Sequence, residues 1–480
     1  MTPSDQAHAA EPAPPGRWRG TPGGAAEGRT GGAHFGWLQV FRLGLVQACL
    51  GAVVVTTTST LNRVMVVELA LPALLPGVLV ALHYLVQMLR PKLGHGSDVT
   101  ARRTPWIMGG MAVLAAGGFL AALATVWMGS SPAAGIALAV AAFVLIGLGV
   151  GAAGTSLLVL LAKRVAAERR AAAATTVWLM MIIGFAVTAG VSGKLLDPYT
   201  PARLLQVCGG VCTLALVLAL LAVWGVETPQ APADAGAPEA AKPAFRAALA
   251  QVWADGDARR FTIFVFVSML AYSAQDLILE PFAGMVHGFT PGQSTQLSGV
   301  QHGGVLLGML MAAFAGRQLA GHALGSLRGW VVGGCIASAI AMAGLVAAGL
   351  SGPAWPLKPT VFVLGVSNGA FSIAAIGSMM ALATQGAPGH EGVRMGLWGA
   401  AQAVAFGIGG LVGAAASDVS RRLIGTPGEA YAVVFGLEGL LFVVAAGLAW
   451  RVAVPAPQHV AAPVQRPLSH PRANDLGAAA

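Results

Sequence analysis

Residues 104–162 read TPWIMGGMAVLAAGGFLAALATVWMGSSPAAGIALAVAAFVLIGLGVGAAGTSLLVLLA and contain no charged side chain. A membrane-crossing helix needs about 20 mostly apolar residues, so this run holds two of them. The turn formers Gly129-Ser130-Ser131-Pro132 divide it, and Arg103 and Lys163 bound it. The rest of the 480 residues agrees. Hydrophobic residues make up 56% and charged residues 10%, against about 25% charged in a soluble chain whose surface faces water. Mean hydropathy is +0.72, and 65 glycines suit helices packed closely in lipid.

Before this run, one apolar stretch lies between Arg42 and Arg63, and a second spans Leu69 to Leu89 and ends at Arg90-Pro91. After it come runs at about 171–193 and 204–226. Residues 227–260 then bring Pro, Ala and charges of both signs, with Phe245 to Trp253 patterned as a short amphipathic helix for the membrane surface. Six further runs lie near 261–280, 296–316, 329–350, 359–383, 395–416 and 430–450. Six spans, a polar linker and six spans is the major facilitator plan: an all-α polytopic membrane protein of about twelve helices in two six-helix halves. The expected organisation is a disordered tail at 1–36, an N-terminal half at 37–226, a linker at 227–260, a C-terminal half at 261–452 and a disordered tail at 453–480.

Place both termini and the linker in the cytoplasm. The outer loops then hold Arg63, Lys194, Arg203, Lys358, Arg421 and Arg422, and the other 22 of the 28 Lys and Arg fall inside. That distribution satisfies the positive-inside rule. The net charge of +9 therefore encodes topology and does not point to nucleic acid. The four cysteines (Cys49, Cys208, Cys212 and Cys335) sit in apolar runs and read as small buried side chains, since two thiols four apart without His make a poor metal site.

The loop after the second span runs from Gly94 through Asp98 to Ala101-Arg102-Arg103. Major facilitator proteins carry a similar Gly, Asp and basic pair there, although Ala101 stands where a second Gly is usual. Asp98 can take a helix N-terminus and a neighbouring Arg, which gives a cytoplasmic latch of Gly94, Asp98, Arg102 and Arg103. The bland alternative is a basic inner loop with one acid. Gly149-Val-Gly151-Ala-Ala-Gly154 matches a dinucleotide fingerprint literally but lies inside an apolar run with no strand before it. Together with Gly147, and with Gly409 and Gly413 in span eleven, it reads as a helix-packing face.

Ionisable residues at membrane depth are costly and so suggest function. Asp276 and Glu280 lie four apart near the outer end of span seven, before Pro281. Glu438 falls mid-span in the last helix, His83 in span two and His302 in span eight. Gating, proton relay or pairing with Arg63 across the halves are the roles open to Asp276 and Glu280, and a hydrated helix end is the plain alternative. For the histidines that alternative is a hydrogen-bonded interior ring.

Two stretches are more specific. Thr60-Leu-Asn-Arg63-Val-Met-Val-Val-Glu68 closes span one, and Gln275-Asp276-Leu-Ile-Leu-Glu280-Pro281-Phe-Ala-Gly284 closes span seven. Both resemble the PucC/LhaA family of major facilitator-like proteins from phototrophic bacteria, the bacteriochlorophyll delivery family. The segment from Arg90 to Pro105 fits it too, and the resemblance covers most of residues 37–452. His83-Tyr84 and Gln301-His302-Gly-Gly are most similar to the member encoded among bacteriochlorophyll synthesis genes. Phe282 and Ala283 depart from the family's usual Tyr and Gly.

The resemblance implies a non-enzymatic carrier or assembly factor that brings bacteriochlorophyll to light-harvesting complexes. It would sit in the inner, intracytoplasmic photosynthetic membrane, with bacteriochlorophyll or a precursor as bound cargo. The lipid bilayer, antenna polypeptides and pigment-synthesis enzymes are the partners to expect. His83 and His302 become candidate axial ligands for a chlorophyll magnesium; Arg63, Glu68, Asp276, Glu280 and Glu438 become candidates for gating or proton coupling. An ion-coupled transporter of another small solute is the competing reading. Pigment prenyl transfer would need carboxylates clustered around Mg²⁺, and the closest acids are Asp255 and Asp257 in the basic linker.

Overall fold

The computed structural model describes residues 35–90, 93, 102–166, 169–227, 245–318, 326–383 and 391–452. The first six helices of the bundle are α1 Trp37–Glu68, α2 Leu74–Leu89, α3 Thr104–Met128, α4 Pro132–Arg164, α5 Arg170–Leu196 and α6 Pro201–Val223. A linker helix, Phe245–Ala254, follows. The second six are α7 Gly256–His287, α8 Pro291–Gln318, α9 Leu327–Ser351, α10 Leu357–Ala383, α11 Glu391–Leu423 and α12 Pro427–Trp450. Eleven of these are long and apolar enough to cross a membrane, and α2 is a shorter apolar helix.

Helix pairing repeats between the halves. α1 packs on α5 and α6 as α7 packs on α11 and α12; α3 packs on α4 and α6 as α9 packs on α10 and α12; α2 packs on α4 as α8 packs on α10. The halves meet along two seams, α2 with α11 and α5 with α8, which the same pairing relates to each other. This is the major facilitator fold. Each half has its own buried apolar cluster, with Leu277 of α7 reaching into the first. Large apolar side chains such as Leu221, Leu350 and Leu440 are exposed on the outside, as a lipid-facing surface requires.

The expected packing faces are present. A Cβ on Gly149 would stand 2.5 Å from the Leu114 backbone of α3, and one on Gly413 would stand 2.5 Å from the Ala274 carbonyl of α7. Four boundaries differ from the sequence reading. Arg63 does not end the first span in an outer loop: α1 runs on to Glu68, because the Arg63 guanidinium finds protein partners and faces no lipid. The second span starts at Leu74, not Leu69. The chain turns at 69–73 with Ala70 at φ 50°, and Pro72 and Pro76 flank the new helix start, where a missing N–H costs little. α7 begins at Gly256, inside the stretch assigned to the linker, and continues past Pro281 to His287. Asp276 and Glu280 are therefore not at its end.

Charged residues tie helix ends together on the side that carries Phe35 and Val452. Arg42 Nε donates to Ala222 O at 2.9 Å, and Arg328 Nε donates to Val452 O at 3.1 Å. Glu227 accepts from the Arg103 and Thr104 N–H groups at 2.8 and 2.9 Å, capping α3. Asp255 caps α7 by accepting from Asp257 N–H at 3.0 Å and Ala258 N–H at 3.3 Å, and it pairs with Arg394 of α11. Burial is the largest influence on the Asp255 carboxyl and opposes its ionisation. The two backbone N–H groups and the Arg394 guanidinium together outweigh it and hold the group below the usual carboxylate range.

Asp255→Ala removes both the cap and the ion pair and should cost about 1 kcal/mol or more of stability at neutral pH. Because the folded-state value is depressed, this contribution is complete above the ordinary Asp value of about 3.9 and fades as pH falls through the lowered one. Thermal melts of the purified protein and the variant should converge in acid.

Candidate functional site: a cavity between the halves

The last third of α1 is polar where a lipid-facing helix would not be. Thr56, Thr57 and Thr58 return their hydroxyls to the carbonyls of Ala52, Val53 and Val54, and the helix widens into π turns at Thr56–Thr60 and Val64–Glu68. The side chains that follow reach the other half. Ser59 Oγ lies 3.2 Å from Ser298 Oγ, and Thr60 Oγ1 lies 3.2 Å from Thr295 Oγ1, both on α8. Pro281 has no N–H to give the Leu277 carbonyl four residues earlier. Asn62 Nδ2 donates to that carbonyl at 2.7 Å.

One residue further on, Arg63 Nη1 meets Glu68 Oε1 at 2.6 Å, and Nη2 donates to Phe289 O at 2.8 Å. Arg63 thus pairs within α1, through the π turn that stacks Glu68 over it, and not with Asp276 or Glu280 as the sequence suggested. Gly284 makes room for it, since a Cβ there would fall 2.9 Å from Nη2.

Two aspartates close the seams at this same end. Asp418, near the end of α11, accepts from Ala73 N–H at 3.0 Å and Leu74 N–H at 2.8 Å, and so caps α2 of the opposite half; Arg421 braces it. Asp197, after α5, accepts from Thr290 Oγ1 at 2.9 Å and Gly292 N–H at 3.3 Å at the start of α8. Each half therefore sends one carboxylate onto a helix N-terminus of the other, where the helix dipole favours negative charge. Gly193 and Gly292 let the α5 and α8 backbones touch beside Asp197.

Below this closure lies a cavity of about 390 Å³, lined from both halves and reaching to Arg90 at the end of α2. Aromatic rings form its walls. Tyr84 packs on Phe406 at 5.9 Å and Phe406 on Tyr272 at 5.8 Å, with Trp178 and Phe185 also on the lining. His83 of α2 and His302 of α8 both line it. His83 Nδ1 is 2.9 Å from Val80 O, and its ring lies 4.2 Å from Tyr84. His302 Nδ1 is 2.8 Å from Ser298 O, and its ring meets the edge of Phe185 at 4.9 Å. A carbonyl only accepts, so Nδ1 carries the proton in each neutral ring and Nε2 keeps its lone pair.

Asp276 and Glu280 also line the cavity. Asp276 Oδ1 accepts from Gln301 Nε2 at 3.3 Å. Glu280 and, on α12, Glu438 are buried; Glu280 lies beside the Ser59 and Ser298 hydroxyls, and among the described residues no partner stands within 3.5 Å of either carboxyl in hydrogen-bonding geometry.

A family model described as PUCC protein matches residues 60–456. The chain belongs to the PucC family. The "Bacteriochlorophyll synthase 44.5 kDa chain" of Rhodobacter capsulatus is 56% identical over 415 residues, covering 86% of this chain and 95% of that one. "Protein PucC" of the same species is 30% identical over 412 residues, covering 82% and 86%. Two solved transporters share the fold. A D-xylose-proton symporter superposes with a TM-score of 0.69 at 13% identity, over 88% of this chain and 98% of that one. The nucleoside transporter NupG (D323A mutant) gives 0.60 at 15%, over 87% and 99%.

In this PucC-family chain the structure gathers His83, His302, Asp276 and Glu280 on one cavity, leaves Glu438 off that lining but within electrostatic reach of Asp276, and places Arg63 and Glu68 in the closure above it. Gly94 and Asp98 lie outside the described residues. Of the expected latch, Arg102 is exposed and Arg103 is buried at the start of α3. Sequence reasoning missed Asn62, Asp197, Asp418 and Gln301, whose partners lie between 25 and 345 positions away. The one local signal was Pro281, which frees a carbonyl that something must satisfy.

If the aspartate caps hold the closure, each contributes about 1 kcal/mol. Asp197→Asn with Asp418→Asn should then raise labelling of a cysteine placed at Ser59, in a background lacking the four native cysteines, by up to roughly thirtyfold. A membrane-impermeant thiol reagent applied from the closed side measures it. An unchanged rate would show that the caps do not hold this end shut.

Proposed function

We propose that this protein carries bacteriochlorophyll or a precursor within the photosynthetic membrane and hands it to light-harvesting complexes as they assemble. The observation that carries the reading is the pair of interior histidines on one aromatic-walled cavity, each with Nδ1 spent on its own helix and, among the described residues, no hydrogen-bond partner at Nε2. A neutral imidazole held in this way is a prepared ligand for a metal at the centre of a flat ring. The aromatic walls suit the faces of such a ring. Membership of a family whose member in Rhodobacter capsulatus is named for bacteriochlorophyll synthase points to the same class of pigment.

With the termini in the cytoplasm, the cavity opens inward and is sealed on the outer side. Antenna polypeptides and pigment-synthesis enzymes are the partners this reading implies. Carriage suits the transporter fold better than catalysis does. Asp255 and Asp257 are otherwise engaged, Asp255 as a helix cap paired with Arg394 and Asp257 with Arg260.

A second reading rests on Asp276, Glu280 and Glu438. An ionised group at this depth costs about 2.5–3.5 kcal/mol on insertion scales, so the two carboxyls on the cavity, with Glu438 near enough to Asp276 to feel its charge, are candidate proton carriers for ion-coupled transport of another small solute.

Titrating the detergent-purified protein with bacteriochlorophyll separates the two. The carrier reading expects one equivalent bound with a shifted absorption band, and affinity reduced at least tenfold when both His83 and His302 become Ala. Binding unaffected by the double substitution would remove the histidines from the account. No pigment binding, with proton uptake by proteoliposomes on adding a hydrophilic solute, would favour the second reading.

A further inference from the structure

Among the described residues, Arg90 is the one arginine or lysine that lines the cavity. Arg90 follows the last turn of α2 and lines the cavity with His83, Tyr84 and Gln87. It stands seven residues after His83, two helical turns along the same face and about 10 Å further toward the open end. Its orientation is fixed twice. Nη2 donates to Oε1 of the buried Gln87, and the stem packs over α4, with Cγ 3.7 Å from where a Cβ on Gly151 would stand. Among the described residues no carboxylate pairs with it.

The acids of the cavity, Asp276 and Glu280, lie toward the sealed end beside Gln301 and Ser298. The cavity is therefore electrically polar along its length, acidic in its depth and basic toward its mouth. Resting on the pigment reading, we propose that Arg90 receives a carboxylate of the cargo, so that the site takes a magnesium tetrapyrrole as its free acid in preference to its long-chain ester. A ring whose metal sits on His83 Nε2 carries its acid side chain at the ring edge, about the spacing that α2 sets between the two residues. Turned the other way, the same carboxylate would meet Asp276 and Glu280. A guanidinium binds a carboxylate through two parallel charge-assisted hydrogen bonds, whereas an ester offers no charge and adds a bulky chain at that point. Esterification is the class of reaction that consumes a free-acid pigment, and it would loosen the pigment's hold at Arg90 as it does so.

The test uses the full-length protein in detergent and two probes, bacteriochlorophyll and the free acid made from it by hydrolysis of the long-chain ester. The native protein should bind the acid about tenfold or more tighter than the ester, the worth of charged hydrogen bonds. Arg90→Gln should erase that preference by weakening the acid alone, with ester affinity kept as the control for folding, and Arg90→Lys should restore part of it. Equal affinity for acid and ester in the native protein would overturn this inference while leaving the pigment reading in place. A loss of both probes together in Arg90→Gln would also overturn it. Binding of neither probe by the native protein would overturn both.

Discussion

A proline inside α7 deprives the Leu277 carbonyl of its helical donor, and Asn62 of α1 supplies one from the other half of the molecule. That single donation joins the two innermost, pairing-related helices at one level. Around it the rest of the closure is arranged: Ser59 and Thr60 meet Ser298 and Thr295 on one side, and Arg63 reaches Phe289 on the other. In a low-dielectric interior an unsatisfied carbonyl or guanidinium is expensive, so these groups hold the halves together for as long as water is kept from them. The cavity extends the other way because this end is committed.

The seams follow the same logic in charge. Asp197 and Asp418 each neutralise the exposed amide end of a helix that belongs to the opposite half. Such a contact is tight while the halves are docked and is replaced by water when they part. Related closures at two seams give the halves two matched catches at one end. The ties described at the end that carries Phe35 and Val452, Arg42 to α6, Arg328 to the end of α12, Glu227 to α3 and Asp255 to Arg394, all stay within one half.

Much of this was legible in the sequence. The charge-free run at 104–162 gives two helices because lipid demands length and apolarity, and the repeated pattern of spans gives the two halves. Glycine runs were legible as packing faces because their context excluded a phosphate loop. His83, His302, Asp276, Glu280 and Glu438 stood out because polar groups at depth are costly. Their assembly was not legible, because which face of a helix turns inward depends on partners in the other half. Arg63 misled for the same reason: a charge ends a hydrophobic run in a hydropathy profile, yet a helix passes through it when Glu68 and Phe289 O are waiting. Asp197 and Asp418 resembled ordinary loop charges, since a cap is recognisable only beside the helix it caps.

The central claim is that the aromatic-walled cavity holds a pigment ring ligated by an interior histidine. The most direct measurement is a structure of the protein purified gently from a phototrophic host. The account predicts density for a flat ring against the wall formed by Tyr84 and Phe406, with its metal at Nε2 of His83 or His302. A pigment seated only on the lipid-facing surface, or a small polar molecule filling the cavity beside Asp276, would contradict it.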